Sequence, residues 1–418
     1  MLISSIALAG ILTGTGTFAA SAGADADAHE PITGAWHAWL ESPGGRIPFG
    51  LEVVRTDADW AASIINGEER LPIARVEVEQ GQMTLHLDPY DSQIRARVSA
   101  DGRELQGEWK RYRGPERWTR MAFQARAGRA ARFPEIESLT GEGLEPVSGR
   151  WSVQFADSSE PSVGIFEPHE QGGLQGTFLT TLGDYRFLAG EFDGKRLALS
   201  CFDGAHAFLF RAQLTKSGTL TGDFWSRDTW HETWTAERDP DAALPDPFGL
   251  TKWTGSTQLG DVVFPDLEGT PRSIDDPAFA GRARILVLFG TWCPNCYDAS
   301  TYLRDLDRRY RKRGLSILGL AFEFGDSFER NAEVVRKYRS HKQLDYPILI
   351  AGPSDKEAAT QAFPLLDRVR AYPTFVFLDA AGQPQAIYTG FSGPATGAAH
   401  DRLRERFETT LDELLSGE

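Results

Sequence analysis

Two cysteines two residues apart, Cys293 and Cys296, lie in the run Gly290-Thr291-Trp292-Cys293-Pro294-Asn295-Cys296. An apolar, β-rich stretch, residues 285–289, precedes them. A helical pattern follows, with Ala299, Leu303, Leu306 and Tyr310 on one face. The pattern predicts that a strand hands over to a helix at the pair. Cys293 then stands where the first helical N–H groups lack intrahelical partners and the helix dipole favours negative charge. A thiolate at that place is the nucleophile of disulfide exchange. Cys296, one turn on, is placed to attack a mixed disulfide and release the partner. The expected chemistry is thiol-disulfide exchange by a redox-active Cys293-Cys296 disulfide, with no cofactor and no metal. A zinc site needs two further ligands, and the chain holds one other cysteine, Cys201, and no histidine pair nearby. Haem attachment needs a histidine after the second cysteine, where Tyr297 stands.

Other residues are drawn to the same place by topology. A strand expected over 315–322 should run parallel to 285–289, so Glu323 emerges at the motif's end of the sheet. It is a candidate proton acceptor for Cys296, or else a solvated loop glutamate. Tyr372-Pro373-Thr374 opens a strand at the same end, and the X-Pro bond is either cis, at modest cost, or an ordinary trans strand start. A hairpin at 379–383 returns the chain along 384–389 to that end. The loop 390–397 is therefore expected to form one wall of a substrate groove, with Phe391 as an apolar contact. Trp292, Pro294, Asn295, Tyr372 and Thr374 complete the expected substrate-binding set.

The elements that must hold these residues begin after a Pro- and Asp-rich boundary, 241–254. From there strand and helix patterns alternate, which argues for βαβ units and a parallel sheet. Ser354 and Glu357 read as a capping box for a helix, and a last amphipathic helix carries Leu403, Phe407, Leu411 and Leu414. The Trp-Cys-Pro-Asn-Cys motif, the leader at Phe264-Pro265 and Tyr372-Pro373-Thr374 together resemble the TlpA/ResA-like thiol-disulfide oxidoreductases of the thioredoxin superfamily. The resemblance covers about 255–418. It implies an α/β thioredoxin fold, Cys293 as the attacking and Cys296 as the resolving cysteine, and Pro373 as a cis-proline whose backbone edge pairs with substrate. Two positions depart from the family pattern. Val287 stands where thioredoxin proper has a buried carboxylate, and Ala299, next to Asp298, where ResA-like members have a glutamate.

Residues 25–240 read as an all-β region. Short alternating runs recur, with turns at Asn66-Gly67, Gly81 and Asp101-Gly102. Gly34-Ala35-Trp36 recurs as Gly149-Arg150-Trp151, and Leu105-Gln106-Gly107-Glu108-Trp109 as Leu220-Thr221-Gly222-Asp223-Phe224. Both recurrences have the same offset, so two related antiparallel meanders are expected, 25–135 and 136–240, as barrels or a sandwich. Their many tryptophans read as core packing. Cys201 continues the face of Leu197 and Leu199 and reads as a buried, inert thiol.

The chain has 418 residues, room for several domains. A net charge of −15 argues against nucleic acid as a partner. Residues 2–20 are apolar and uncharged, with small-x-small sites at Ala20-Ser21-Ala22 and Ala22-Gly23-Ala24. Residues 1–24 therefore read as an export signal, or a retained anchor, and the protein as periplasmic or extracytoplasmic. The expected partners are disulfide-containing exported proteins and a membrane thiol electron donor. Two other readings stay open: a thiol oxidant or isomerase using the same site, since C-x-x-C spacing does not set direction, and a ligand-binding β protein with an accessory thioredoxin domain.

Overall fold

The structure is a computed structural model and describes residues 32–416 apart from Ala58 and Gln171. The leader expected over 1–24 lies outside the described residues. The first unit contains β1 (Gly34–Ser42), β2 (Gly45–Arg55), β3 (Trp60–Asn66), β4 (Glu69–Pro72), β5 (Arg75–Glu79), β6 (Gln82–Leu87), β7 (Ser92–Val98), β8 (Glu104–Gly114) and β9 (Arg117–Ala127). The antiparallel order is β2-β1-β9-β8-β7-β6-β5-β3-β4, and β2 also pairs with β3. That pairing closes an eight-stranded barrel with β4 as a short attachment, and closure removes the free edges an open meander would expose.

The second unit contains β10 (Gly149–Phe155), β11 (Ser162–Pro168), β12 (Leu174–Thr180), β13 (Gly183–Asp184), β14 (Leu188–Phe192), β15 (Arg196–Phe202), β16 (Ala207–Leu214), β17 (Leu220–Ser226) and β18 (Trp230–Arg238). Order and closure repeat those of the first. The repeat extends to single contacts. The indole N–H of Trp36 donates to the Ile32 carbonyl at 3.0 Å, and that of Trp151 to the Val147 carbonyl at 2.9 Å. At Gly107 and Gly222 an added Cβ would meet a backbone oxygen of the neighbouring strand at 1.9 and 2.1 Å, so both positions require glycine. Trp36, Trp39, Trp109, Trp151 and Trp234 are buried, as is Cys201; Trp118 and Trp230 are exposed.

The two barrels share packing. Ala198, Phe202, Ala207 and Leu209 of the second join the core of the first. Arg132, between the barrels, donates to the carbonyls of Pro48, Ile65 and Ser200 at 2.9, 2.9 and 3.1 Å. The stretch joining the barrels is thus bound to both.

After the second barrel, Pro247 accepts a backbone hydrogen bond from Thr389, and Phe248 packs edge-on against Tyr388. A small hairpin, β19 (Val263–Pro265) and β20 (Pro271–Ser273), leads in. The central sheet contains β21 (Ala283–Phe289), β22 (Leu315–Glu323), β23 (Ile348–Pro353), β24 (Thr374–Asp379) and β25 (Pro384–Thr389) in the order β23-β22-β21-β24-β25. The first three are parallel; β24 and β25 are antiparallel. Helices α1 (Pro294–Tyr310), α2 (Phe328–Lys342), α3 (Lys356–Ala362) and α4 (Ala398–Ser416) accompany them. This is a thioredoxin-like α/β domain. All seven residues of β21 are buried, as a central strand covered on both faces requires. The cap of α3 differs from the expected box: Asp355, not Ser354, is the N-cap, and its carboxylate accepts from the N–H groups of Glu357 and Ala358. Among the described residues, no helix is long and apolar enough to cross a membrane.

Candidate functional site

The strand β21 ends at Phe289 and α1 begins at Pro294, with Cys293 as its N-cap. The Cys293 Sγ accepts from the Cys296 N–H at 3.3 Å and donates to the Tyr372 carbonyl at 3.4 Å. Both cysteines are free; Cys293 is 7% exposed and Cys296 is fully enclosed. Burial pushes the Cys296 thiol well up, helped by its contact with Cys293 and by the field of Glu323. Burial likewise pushes up the Cys201 thiol.

Glu323 ends β22 beneath the motif and is 3% exposed. Its carboxylate accepts from the Thr291 N–H at 2.8 Å and the Thr291 hydroxyl at 2.7 Å. Burial pushes this carboxyl up to about 7, and the two Thr291 hydrogen bonds pull against that rise. It is therefore not a solvated loop residue. Its field reaches Cys296.

Around the dithiol, Trp292 donates its indole N–H to the Phe322 carbonyl at 2.8 Å and stacks on Phe324 at 4.9 Å. Tyr372 meets Trp292 edge-on at 5.6 Å, and the Tyr372-Pro373 peptide bond is cis. Of the residues expected to meet substrate, only Trp292 is partly exposed; Pro294, Asn295 and Tyr372 are buried, and Thr374 and Phe391 are shut off most completely. Thr374 is fully buried, its hydroxyl given to the Ala371 carbonyl at 2.8 Å. Phe391 is 2% exposed and packs against Phe375 and His400, because burying its ring in the core is worth more than presenting it at a rim. The loop 390–397 is also covered: Gly390 lies against the backbone of Thr181 and Leu182, and the Gly393 N–H donates to Asp184 at 2.5 Å.

That cover comes from the second barrel, which the sequence did not place here. Asn295 donates its side-chain amide to the Asp184 carbonyl at 3.3 Å, and Gly183 abuts it so closely that a Cβ would sit 2.2 Å from the Asn295 oxygen. Arg186, 1% exposed, donates to the Pro294 carbonyl at 3.3 Å. It also pairs with Glu69 of the first barrel, Asp203 of the second and Asp298 on α1. One guanidinium thus ties three structural units together two residues beyond Cys296. Burial raises Asp298 to about 6, against the pull of Arg186, and lowers Lys342, which faces it, to about 7. From the first barrel Arg111, 3% exposed, donates to the carbonyls of Ala205 and Trp292, both at 2.6 Å. The single sequence signal for Arg186 is a charge set in the apolar run Tyr185-Arg186-Phe187-Leu188.

Comparison with known proteins falls on the C-terminal part. The AhpC/TSA family model matches residues 256–386. The thiol-disulfide oxidoreductase ResA of Geobacillus thermodenitrificans (strain NG80-2) is 32% identical over 136 residues, which is 32% of this chain and 69% of that protein. The ResA of Geobacillus kaustophilus (strain HTA426) is 30% identical over the same length, with the same shares. Among solved structures, a thioredoxin-family thiol:disulfide interchange protein from Chlorobium tepidum TLS aligns at 20% identity and a TM-score of 0.28, over 37% of this chain and 92% of that one.

Proposed function

The chain belongs, through its C-terminal domain, to the ResA-like thiol-disulfide oxidoreductases of the thioredoxin superfamily, and from that membership we propose that it is an exported reductase of protein disulfides. Cys293 thiolate attacks one sulfur of a substrate disulfide; a mixed disulfide forms, and the other substrate sulfur leaves as a thiolate and takes a proton. Glu323 removes the Cys296 proton. Cys296 then attacks the Cys293 sulfur, closing the Cys293-Cys296 disulfide and releasing the second substrate thiol. Two electrons pass from the dithiol to the substrate, with no cofactor beyond the cysteine pair. The backbone at Tyr372-Pro373 borders Cys293 and would pair with the substrate main chain, while Trp292, Pro294 and Asn295 frame the approach.

The observation that carries this reading is the asymmetry of the pair. Cys293 is the N-cap and the more exposed of the two, and Cys296 is fully enclosed within the field of Glu323, whose carboxyl is pushed up to about 7. Support for export is the apolar leader over 2–20. A reductase in an oxidising compartment needs an electron source, and a membrane thiol carrier is the class that fits.

Reduction of insulin disulfides by the full chain, with dithiothreitol as the electron source, tests the reaction. The potential of the Cys293-Cys296 couple tests its direction. A value below about −200 mV accords with a reductant, and one near about −120 mV would make the protein a thiol oxidant.

A further inference from the structure

Beside the dithiol, the mouth of the second barrel opens into a cleft of about 340 Å³. Asn295 of the motif lines its inner end, two residues from Cys293. Its floor is aromatic: Tyr185 lies 5.2 Å from Phe208 and 5.4 Å from Phe224, ring to ring. Its rim carries two large apolar side chains left in water, Leu182 and Trp230, 48% and 47% exposed. Most large apolar groups of the barrels are buried, so this pair at the edge of an aromatic hollow is the mark of a contact surface.

The charge in and around the cleft is equally specific. Arg227 lines it in a left-handed backbone conformation, φ 61°. Burial lowers Arg227, Arg111 and Arg113 from the ordinary arginine value, and the fields of neighbouring guanidinium groups add to it: Arg113 acts on both Arg111 and Arg227, and Arg117 on Arg113. Each stays charged at neutral pH. Among the described residues none of the three forms an ion pair, and each has a buried Nε without a hydrogen-bond partner. Asp228 is the acid whose field reaches Arg113 and Arg227, without pairing with either. The acidic groups lining the cleft are already engaged: Glu232 by Trp230 and the Asp157 N–H, Asp184 by the N–H groups of Arg186 and Gly393. In a chain of net charge −15, unpaired arginines gathered beside the motif lack a carboxylate partner that a ligand can supply.

We propose that this cleft docks the polypeptide segment flanking the substrate disulfide, seating an aromatic side chain on the Tyr185-Phe208-Phe224 floor and pairing an adjacent Asp or Glu with Arg227 and Arg113. The proposal rests on the reading that the dithiol exchanges with polypeptide disulfides. On this account the second barrel selects which disulfides reach Cys293.

The test uses the full chain reduced with dithiothreitol and freed of it. The substrates are synthetic peptides, each closed by one disulfide and identical except beside it: Phe-Glu, Phe-Lys or Gly-Glu. The Phe-Glu peptide should be reduced about tenfold faster than Phe-Lys at low salt, with the gap narrowing as salt rises. R227Q should collapse that ratio and R227E invert it, while W230A should shrink the preference for Phe over Gly. Each ratio is taken within one protein, so partial loss of fold or thiol reactivity cancels. A ratio near one in the native chain, or one that survives R227E, would overturn the docking site. Bis(2-hydroxyethyl) disulfide separates the two levels. If it is reduced while the peptides are not discriminated, docking fails and exchange stands; if neither it nor any peptide is reduced, the exchange reading fails and docking with it.

Discussion

The two flanks of the cysteine pair are built from different materials. The C-terminal domain supplies one flank from its own strands: Glu323 with Thr291 below, Tyr372 beside. Everything there lies within one domain and bears on the buried carboxyl and the thiols. The barrels supply the other flank, and it is made of cations and backbone carbonyls: Arg186 on Pro294, Arg111 on Trp292, the Asp184 carbonyl on Asn295. The first flank touches the thiols and the carboxyl beside them. The second holds the motif's backbone and the Asn295 side chain. The C-terminal domain thus lies under a cover made by the barrels.

The largest effect that sharpens this contrast is at the thiols. Cys293→Ser should reduce disulfide turnover by at least about a thousandfold, whereas Cys296→Ser should still attack and then accumulate as a mixed disulfide visible by mass. Turnover by Cys293→Ser at native rates would remove the motif from the reaction.

Next is the node that joins the flanks. Arg186→Met leaves Glu69, Asp203 and Asp298 buried without their shared cation. Loss of one partner from a buried ion network costs about 3–5 kcal/mol. Urea unfolding should show that loss, and combining Arg186→Met with Asp298→Asn should recover part of it. A change under about 0.5 kcal/mol would mean the barrels merely touch the domain.

Phe391→Ala should act on the fold and not on substrate choice. Removing a buried phenylalanine costs about 3–5 kcal/mol, read as lowered stability with insulin and bis(2-hydroxyethyl) disulfide affected alike. Selective loss on insulin with stability intact would restore Phe391 to the groove.

Glu323→Gln should give the smallest effect, about tenfold slower resolution of a mixed disulfide near neutral pH. In the native chain resolution should accelerate as pH rises through about 7, where Glu323 ionises, and the variant should lose that inflection. The stability sign follows from the same shift. Burial raises this carboxyl from an unfolded value of 4.5, so the protonated form is favoured by folding. Its contribution is full below that value and is lost as pH rises through about 7, so Glu323→Gln should flatten the fall in stability across that window. Identical pH profiles in both chains would exclude Glu323 from the proton step.

These outcomes also separate what was legible from what was not. The strand-to-helix handover at Cys293, the repeat carried by Trp36 and Trp151, and the place of Glu323 at a strand's carboxyl end all follow from local periodicity and sheet direction. Arg186 does not: its partners are 117, 17 and 112 residues away, in units whose contact no local pattern encodes. The loop at 390–397 shows the same limit from the other side. Sheet direction brought it to the right end of the domain, but only the barrel hairpin that lies across it explains why Gly393 meets Asp184, and Phe391 turns inward onto the domain's own core at Phe375 and His400. Thr374 begins a central strand, and its burial follows from β21 and β25 on either side.

The most direct test of the asymmetric dithiol is the order in which the three cysteines react. The reduced full chain is treated with limiting iodoacetamide at mildly acidic pH, digested and mapped. Cys293 should be labelled first, with Cys296 and Cys201 protected by burial until the chain is unfolded. Labelling of Cys296 or Cys201 ahead of Cys293 in the folded protein would contradict the assignment of attacking and resolving thiols on which the proposed function depends.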